Sequence, residues 1–301
     1  MHHHDSPMQG GPAVPWGRVA TFYALACIGP VAAAVARAFL ELPQLAVVAV
    51  TASAMVAPLL ATVVMQRIDG RRPLDGLASV RASRWLLAAA LLPVIVVLTT
   101  LPLSLAMPGA TYDPTLSAFL DTLASQLGPE QLDEARAQLA DLPGGALGLV
   151  LLSIPQALVF GSTINALFAF GEEVGWRGWL QQQLTPLGIG RASLVTGLLW
   201  GLWHAPLILA GHNFDEHRVA GIGVFTLVCV ALSPALALVR ERAGTVWAAA
   251  VFHGVFNAMG AVPMLVIAGH ELLVGSQAIA GGIAAAVVSA AVALGTRRTE
   301  R

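Results

Sequence analysis

The chain has 301 residues, of which 56% are apolar and only 11% carry a formal charge, against roughly 25% in an average soluble protein. Mean hydropathy is +0.74, and the charges lie in short stretches between apolar runs of about 20 residues, the length that crosses roughly 30 Å of hydrocarbon as a helix. This excludes a soluble α/β enzyme, a disulfide-stapled secreted domain and a disordered tail protein, and it predicts an all-α, polytopic transmembrane helical bundle. Cys27 and Cys229 both lie inside apolar runs, so neither a structural disulfide nor a four-thiolate zinc site is expected. The net charge of −1 says little about partners, because in a membrane protein the placement of charge outweighs its sum.

In chain order, residues 1–17 read as a disordered start, and the histidines of MHHHDSP are set aside from function. Apolar stretches bounded by charge or by Pro and Gly turns predict eight spans, at 18–39, 44–66, 85–107, 146–170, 190–211, 220–239, 245–268 and 272–295. The first contains Arg37 and lacks a strongly basic leader, so it reads as a retained span and not as a cleaved signal peptide. Pro58 and Pro263 predict kinks in the second and seventh spans. The 108–145 linker is acidic and its middle reads as a solvated polar helix. Residues 18–296 are expected to form one transmembrane domain, with a catalytic core at about 146–268 and a cytoplasmic tail at 297–301.

Orientation follows from arginine, since the chain has no lysine. With both termini cytoplasmic, all of the sixteen arginines except Arg37, Arg136 and Arg218 fall inside, as the positive-inside rule requires. The expected location is the cell (inner) membrane, with the lipid bilayer as partner and no nucleic acid.

Ionisable groups within spans cost about 2.5–3.5 kcal/mol each to insert, so each is a functional candidate. Three segments carry them: FAFGEEVGWRGWL at the end of the fourth span, with Glu172, Glu173 and Arg177; LLWGLWHAPL in the fifth, with His204; and VFHGVFNAMG in the seventh, with His253 and Asn257. Glu173 and Arg177 are spaced i, i+4 in the favourable order for an ion pair. Glu172 lies about 100° round the helix, unpaired, and is therefore the better general base. His253 and Asn257, also one turn apart, form a pair of donors suited to an oxyanion. His204, one turn after Trp200 and before Pro206, is placed to help Glu172 hold a water. Each set also has a plainer reading, as an interfacial salt bridge or as hydrogen bonds between helices. Their coincidence in three spans favours one shared polar pocket.

The order EExxxR (Glu172, Glu173, Arg177), an aromatic with xxxH (Trp200, His204) and HxxxN (His253, Asn257) resembles the CPBP family of intramembrane proteases, the CAAX-protease and bacteriocin-processing relatives of the Rce-type prenyl-protein endopeptidases. Trp200 stands where the second motif more often has Phe. The resemblance implies an intramembrane endopeptidase acting on membrane-associated or lipidated peptides, with a site open to the cytoplasmic half. Glu172 and His204 would activate water, His253 and Asn257 would hold the oxyanion, and Glu173 with Arg177 would brace the site.

Family members are often labelled metalloproteases, and Glu172, His204 and His253 form a conceivable zinc set. However, HGVFN is not HExxH and Glu173 sits nearest, so the expectation is a metal-independent site, with zinc as the alternative. A non-catalytic scaffold or immunity-type protein that binds a peptide in the same pocket is the rival function. A proton-coupled transporter fits less well, because residues 1–145 hold no counterpart of the polar motifs.

Overall fold

Hydrocarbon offers no water to backbone N–H and C=O groups, so apolar runs that cross it satisfy those groups internally, as helices. The computed structural model describes residues 13–124 and 128–298. Among them, eight helices are long and apolar enough to cross a membrane: Trp16–Phe39, Leu45–Ile68, Arg84–Leu105, Gly145–Gln183, Thr185–Leu209, Arg218–Ala243, Val246–Val266 and Ile279–Thr296. These are the first to eighth spans. The histidines of the start and the last residues of the tail lie outside the described residues.

Both proline breaks fall where expected. A 3₁₀ turn at Ala54–Val56 precedes Pro58, and the seventh span breaks after Met259 and resumes at Val262 with Pro263 in its first turn. Two boundaries are corrected. The fourth span does not end at 170 but runs on to Gln183, 39 residues in all from Gly145, because Glu172, Glu173 and Arg177 are buried in protein and do not end the helix in water. The eighth begins at Ile279 and not at 272, since Ile267–Ala268 leaves the helix to pair antiparallel with Thr111–Tyr112.

The bundle has two chemically distinct ends. At one, Arg18 binds Asp69 at 2.6 Å and Thr245 Oγ1 donates to the Ser79 carbonyl at 2.7 Å. The first, second, third, sixth and seventh spans thus meet at this end with the arginine-rich 69–83 loop, and we call it the basic end. At the other, the linker end, Arg37 donates to the carbonyls of Ala210 at 3.0 Å and Gly211 at 3.3 Å. Here too lie the strand pair and the linker helices Ser117–Ala124 and Pro129–Ala140, the second of which is polar, as the linker composition suggested.

Small residues let the site-bearing spans touch backbone to backbone. A Cβ on Gly254 would collide with the Gly161 carbonyl and the Ala166 backbone of the fourth span, and a Cβ on Gly201 would stand 2.5 Å from Thr226 Cα of the sixth. These approaches bring the fourth, fifth, sixth and seventh spans close enough for their short polar side chains to meet.

Candidate active site

Glu172 and Glu173 close an α-helical stretch that lies between two π-helical segments, Ala157–Asn165 and Val174–Leu180. Such segments widen a helix and recur at functional sites. Glu173 and Arg177, both fully buried, form the expected pair, with Nη1 2.9 and 3.1 Å from the two carboxylate oxygens. Nη2 of Arg177 donates to Ser233 Oγ of the sixth span at 2.7 Å, and the guanidinium carbon lies 4.4 Å from the centre of the Trp200 ring. His253 Nδ1–H donates to Glu173 Oε1 at 2.9 Å. Glu173 therefore ties the seventh span to the fourth through His253, while Arg177 ties it to the sixth.

Glu172 faces the other way. Its Oε2 accepts a 2.7 Å hydrogen bond from the Trp200 indole N–H. The fifth span breaks at His204, between Gly188–Trp203 and Ala205–Leu209, with Pro206 just beyond as the sequence suggested. His204 Nδ1–H donates to the Trp200 carbonyl at 2.8 Å, and its ring lies between Trp203 and Phe225 at centroid distances of 4.8 and 4.7 Å. Each histidine thus has one nitrogen fixed by an acceptor, which leaves Nε2 for a ligand.

Glu172, His204, His253 and Asn257 all line one cavity of about 660 Å³, whereas Glu173 and Arg177 are not among its lining residues. Asn257, a turn beyond His253, is exposed. The structure therefore brings together every residue singled out from the sequence, in two layers: four on the cavity and a buried ion pair behind. Trp200 and Ser233 were not foreseen in these roles. Trp200 touches Glu172, His204, Arg177 and His253 at once, and only its spacing from His204 hinted at this.

Glu172, His204 and His253 do not fit the suggested zinc set. Among the described residues, no group of three His, Cys, Asp or Glu side chains is placed to hold a metal ion. No step below is routed through one.

The mouth of the cavity is the second surprise. Arg37, Val48, Gly211, His212, Asp215 and Gln277 form its outer lining, and all belong to the linker end. At His212, burial followed by the charge of Arg37 pushes the imidazole down to about 4, so it stays neutral at physiological pH. Behind Trp203 of the cavity wall, aromatic side chains pack together towards the basic end. Trp176 and Trp179 of the fourth span hold Phe22 of the first, edge-on at 5.6 Å and stacked at 4.8 Å, and Leu77 of the 69–83 loop is buried beside Val174 and Val246. A site open to the cytoplasmic half and a cytoplasmic basic end were both expected. The residues at the mouth belong instead to the linker end, and none of the 69–83 loop lines the cavity.

The region that carries this cavity is similar in sequence to known CAAX prenyl proteases. Residues 154–259, which carry all three motifs, match the family model described as type II CAAX prenyl endopeptidase Rce1-like. A curated relative from Methanococcus maripaludis, CAAX prenyl protease 2, is 29% identical over 89 residues, covering 22% of this chain and 33% of the relative. The match therefore spans about a third of that relative's length. These matches bear out the resemblance of the motif-bearing region to CPBP/CAAX-type proteases.

Proposed function

We propose that this chain is an intramembrane endopeptidase that hydrolyses a peptide bond of a membrane-associated or lipidated segment drawn into the cavity. The observation that carries the reading is the grouping of Glu172, His204, His253 and Asn257 on one cavity, with Glu173, Arg177 and Ser233 holding it from behind. Glu172, assisted by His204 Nε2, takes a proton from a water whose oxygen attacks the scissile carbonyl. The resulting oxyanion is held by Asn257 Nδ2–H and by Nε2–H of a protonated His253, whose Nδ1–H stays bound to the Glu173 carboxylate. Breaking the C–N bond passes the proton from Glu172 to the leaving amine. The water is activated by these side chains without a metal. The protein sits in the cell (inner) membrane with the basic end and both termini cytoplasmic, in keeping with the arginine bias.

Glu172→Gln preserves shape while removing the base. The variant, purified at wild-type yield, is expected to lose at least a hundredfold in cleavage of a reporter peptide in proteoliposomes. Wild-type cleavage by a well-folded Glu172→Gln protein would overturn the proposal in favour of a peptide-binding scaffold.

A further inference from the structure

The position of the mouth, taken with the charge bias, bears on which peptides can enter. The two ends of the first span are marked by Arg18, paired with Asp69, and by Arg37, bonded to Thr51, Ala210 and Gly211. Nineteen residues of helix separate them, about 28 Å, so the mouth and the basic loops lie on opposite faces of a bilayer. No residue of the 69–83 loop, of the 183–188 turn or of the 243–246 turn lines the cavity. On that side Trp176, Trp179 and Phe22 pack together and Leu77 is buried.

The positive-inside bias is counted over short loops. The 69–83 loop alone holds Arg71, Arg72 and Arg81, and Arg67 and Arg84 flank it. The linker end holds only Arg37, Arg136 and Arg218, against an acidic linker. The rim is polar, with Arg37, His212, Asn213, Asp215 and Gln277, which suits the backbone of an extended peptide better than a lipid tail.

Resting on the protease reading above, we infer that the substrate enters from the extracytoplasmic side: the peptides cut are segments of translocated or membrane proteins exposed on the outer face, not lipid-modified cytoplasmic tails. A membrane-impermeant maleimide applied to intact cells tests the geometry. In a Cys27→Ala, Cys229→Ala background, Glu216→Cys beside the mouth is expected to label, and Asp75→Cys at the basic end only after permeabilisation. The reverse pattern would overturn the inference whatever the activity. Mapping new peptide ends in cells carrying wild-type or Glu172→Gln protein tests the substrates. Ends that depend on Glu172 are expected in outer-face segments, and their confinement to cytoplasmic segments would overturn the inference. Outside labelling of Glu216→Cys with no Glu172-dependent ends at all would instead sink the protease reading and leave the sidedness standing.

Discussion

Arg177 holds a formal charge in a place with no solvent to stabilise it, and only its partners make that tolerable. Removing one member of a buried ion pair strands the other, at a cost of about 3–5 kcal/mol, whereas neutralising both costs far less. Arg177→Met is therefore expected to lower yield and thermal stability in detergent and to abolish cleavage. Adding Glu173→Gln should recover part of the stability without the cleavage. Equal stability of the single and double variants would show that the pair does not brace the fold. At this scale much was legible: i, i+4 spacing announced both the Glu173–Arg177 pair and the common face of His253 and Asn257. Trp200 and Ser233 were not legible, because which way an indole N–H or a hydroxyl points depends on neighbours brought together only by the tertiary fold.

Helices position these side chains by how closely they approach. A methyl at Gly254 would collide with the Gly161 carbonyl, and relieving it should cost about 1–3 kcal/mol as the seventh span backs away. That movement lengthens the 2.9 Å contact between His253 and Glu173. Gly254→Ala is thus expected to fold at reduced stability and lose more than tenfold in activity, while Gly223→Ala, which meets nothing within 4 Å, leaves both unchanged. Equal behaviour of the two would remove helix contact as the cause.

The turn at the mouth depends on a carboxylate. Glu271 accepts the backbone N–H groups of Asp215, Glu216 and His217 at 2.9, 3.2 and 2.6 Å. Burial alone would raise its pKa, but these bonds and the His217 ring outweigh it and hold the carboxyl below its usual 4.5. A depressed carboxylate stabilises above the unfolded value and loses that contribution as pH falls through the folded one. Amide exchange at 215–217, corrected for intrinsic rate, should be protected evenly above that range and lose protection below it. Glu271→Ala should remove the protection at every pH, and unchanged protection in that variant would discount the clasp. The breaks beside Pro58 and Pro263 were readable from sequence at this scale, although a missing N–H alone does not make a break, since Pro30, Pro93 and Pro234 sit inside unbroken helices. The overrun of the fourth span was not readable, because charge marks a helix end only when water is what it meets.

For the molecule as a whole, the segregation of arginine to one end was visible in the sequence, whereas the direction of the cavity was not, since it depends on which residues of separate spans and turns line it once folded. The depth of the cavity has a consequence in an energised membrane. With entry from the linker end as inferred above, the cavity leads from that end to Glu172 and His253, and His253 lies only seven residues, about 10 Å of helix, from the start of its span at Val246. The transmembrane voltage, worth about 2.3 kcal/mol per elementary charge for every 100 mV, would then be concentrated over this short barrier and not spread through the bilayer. An unpaired charge in this barrier would be driven along that steep gradient. Glu173 and Arg177, bound to each other within it, form a neutral pair, on which the field exerts torque without net force.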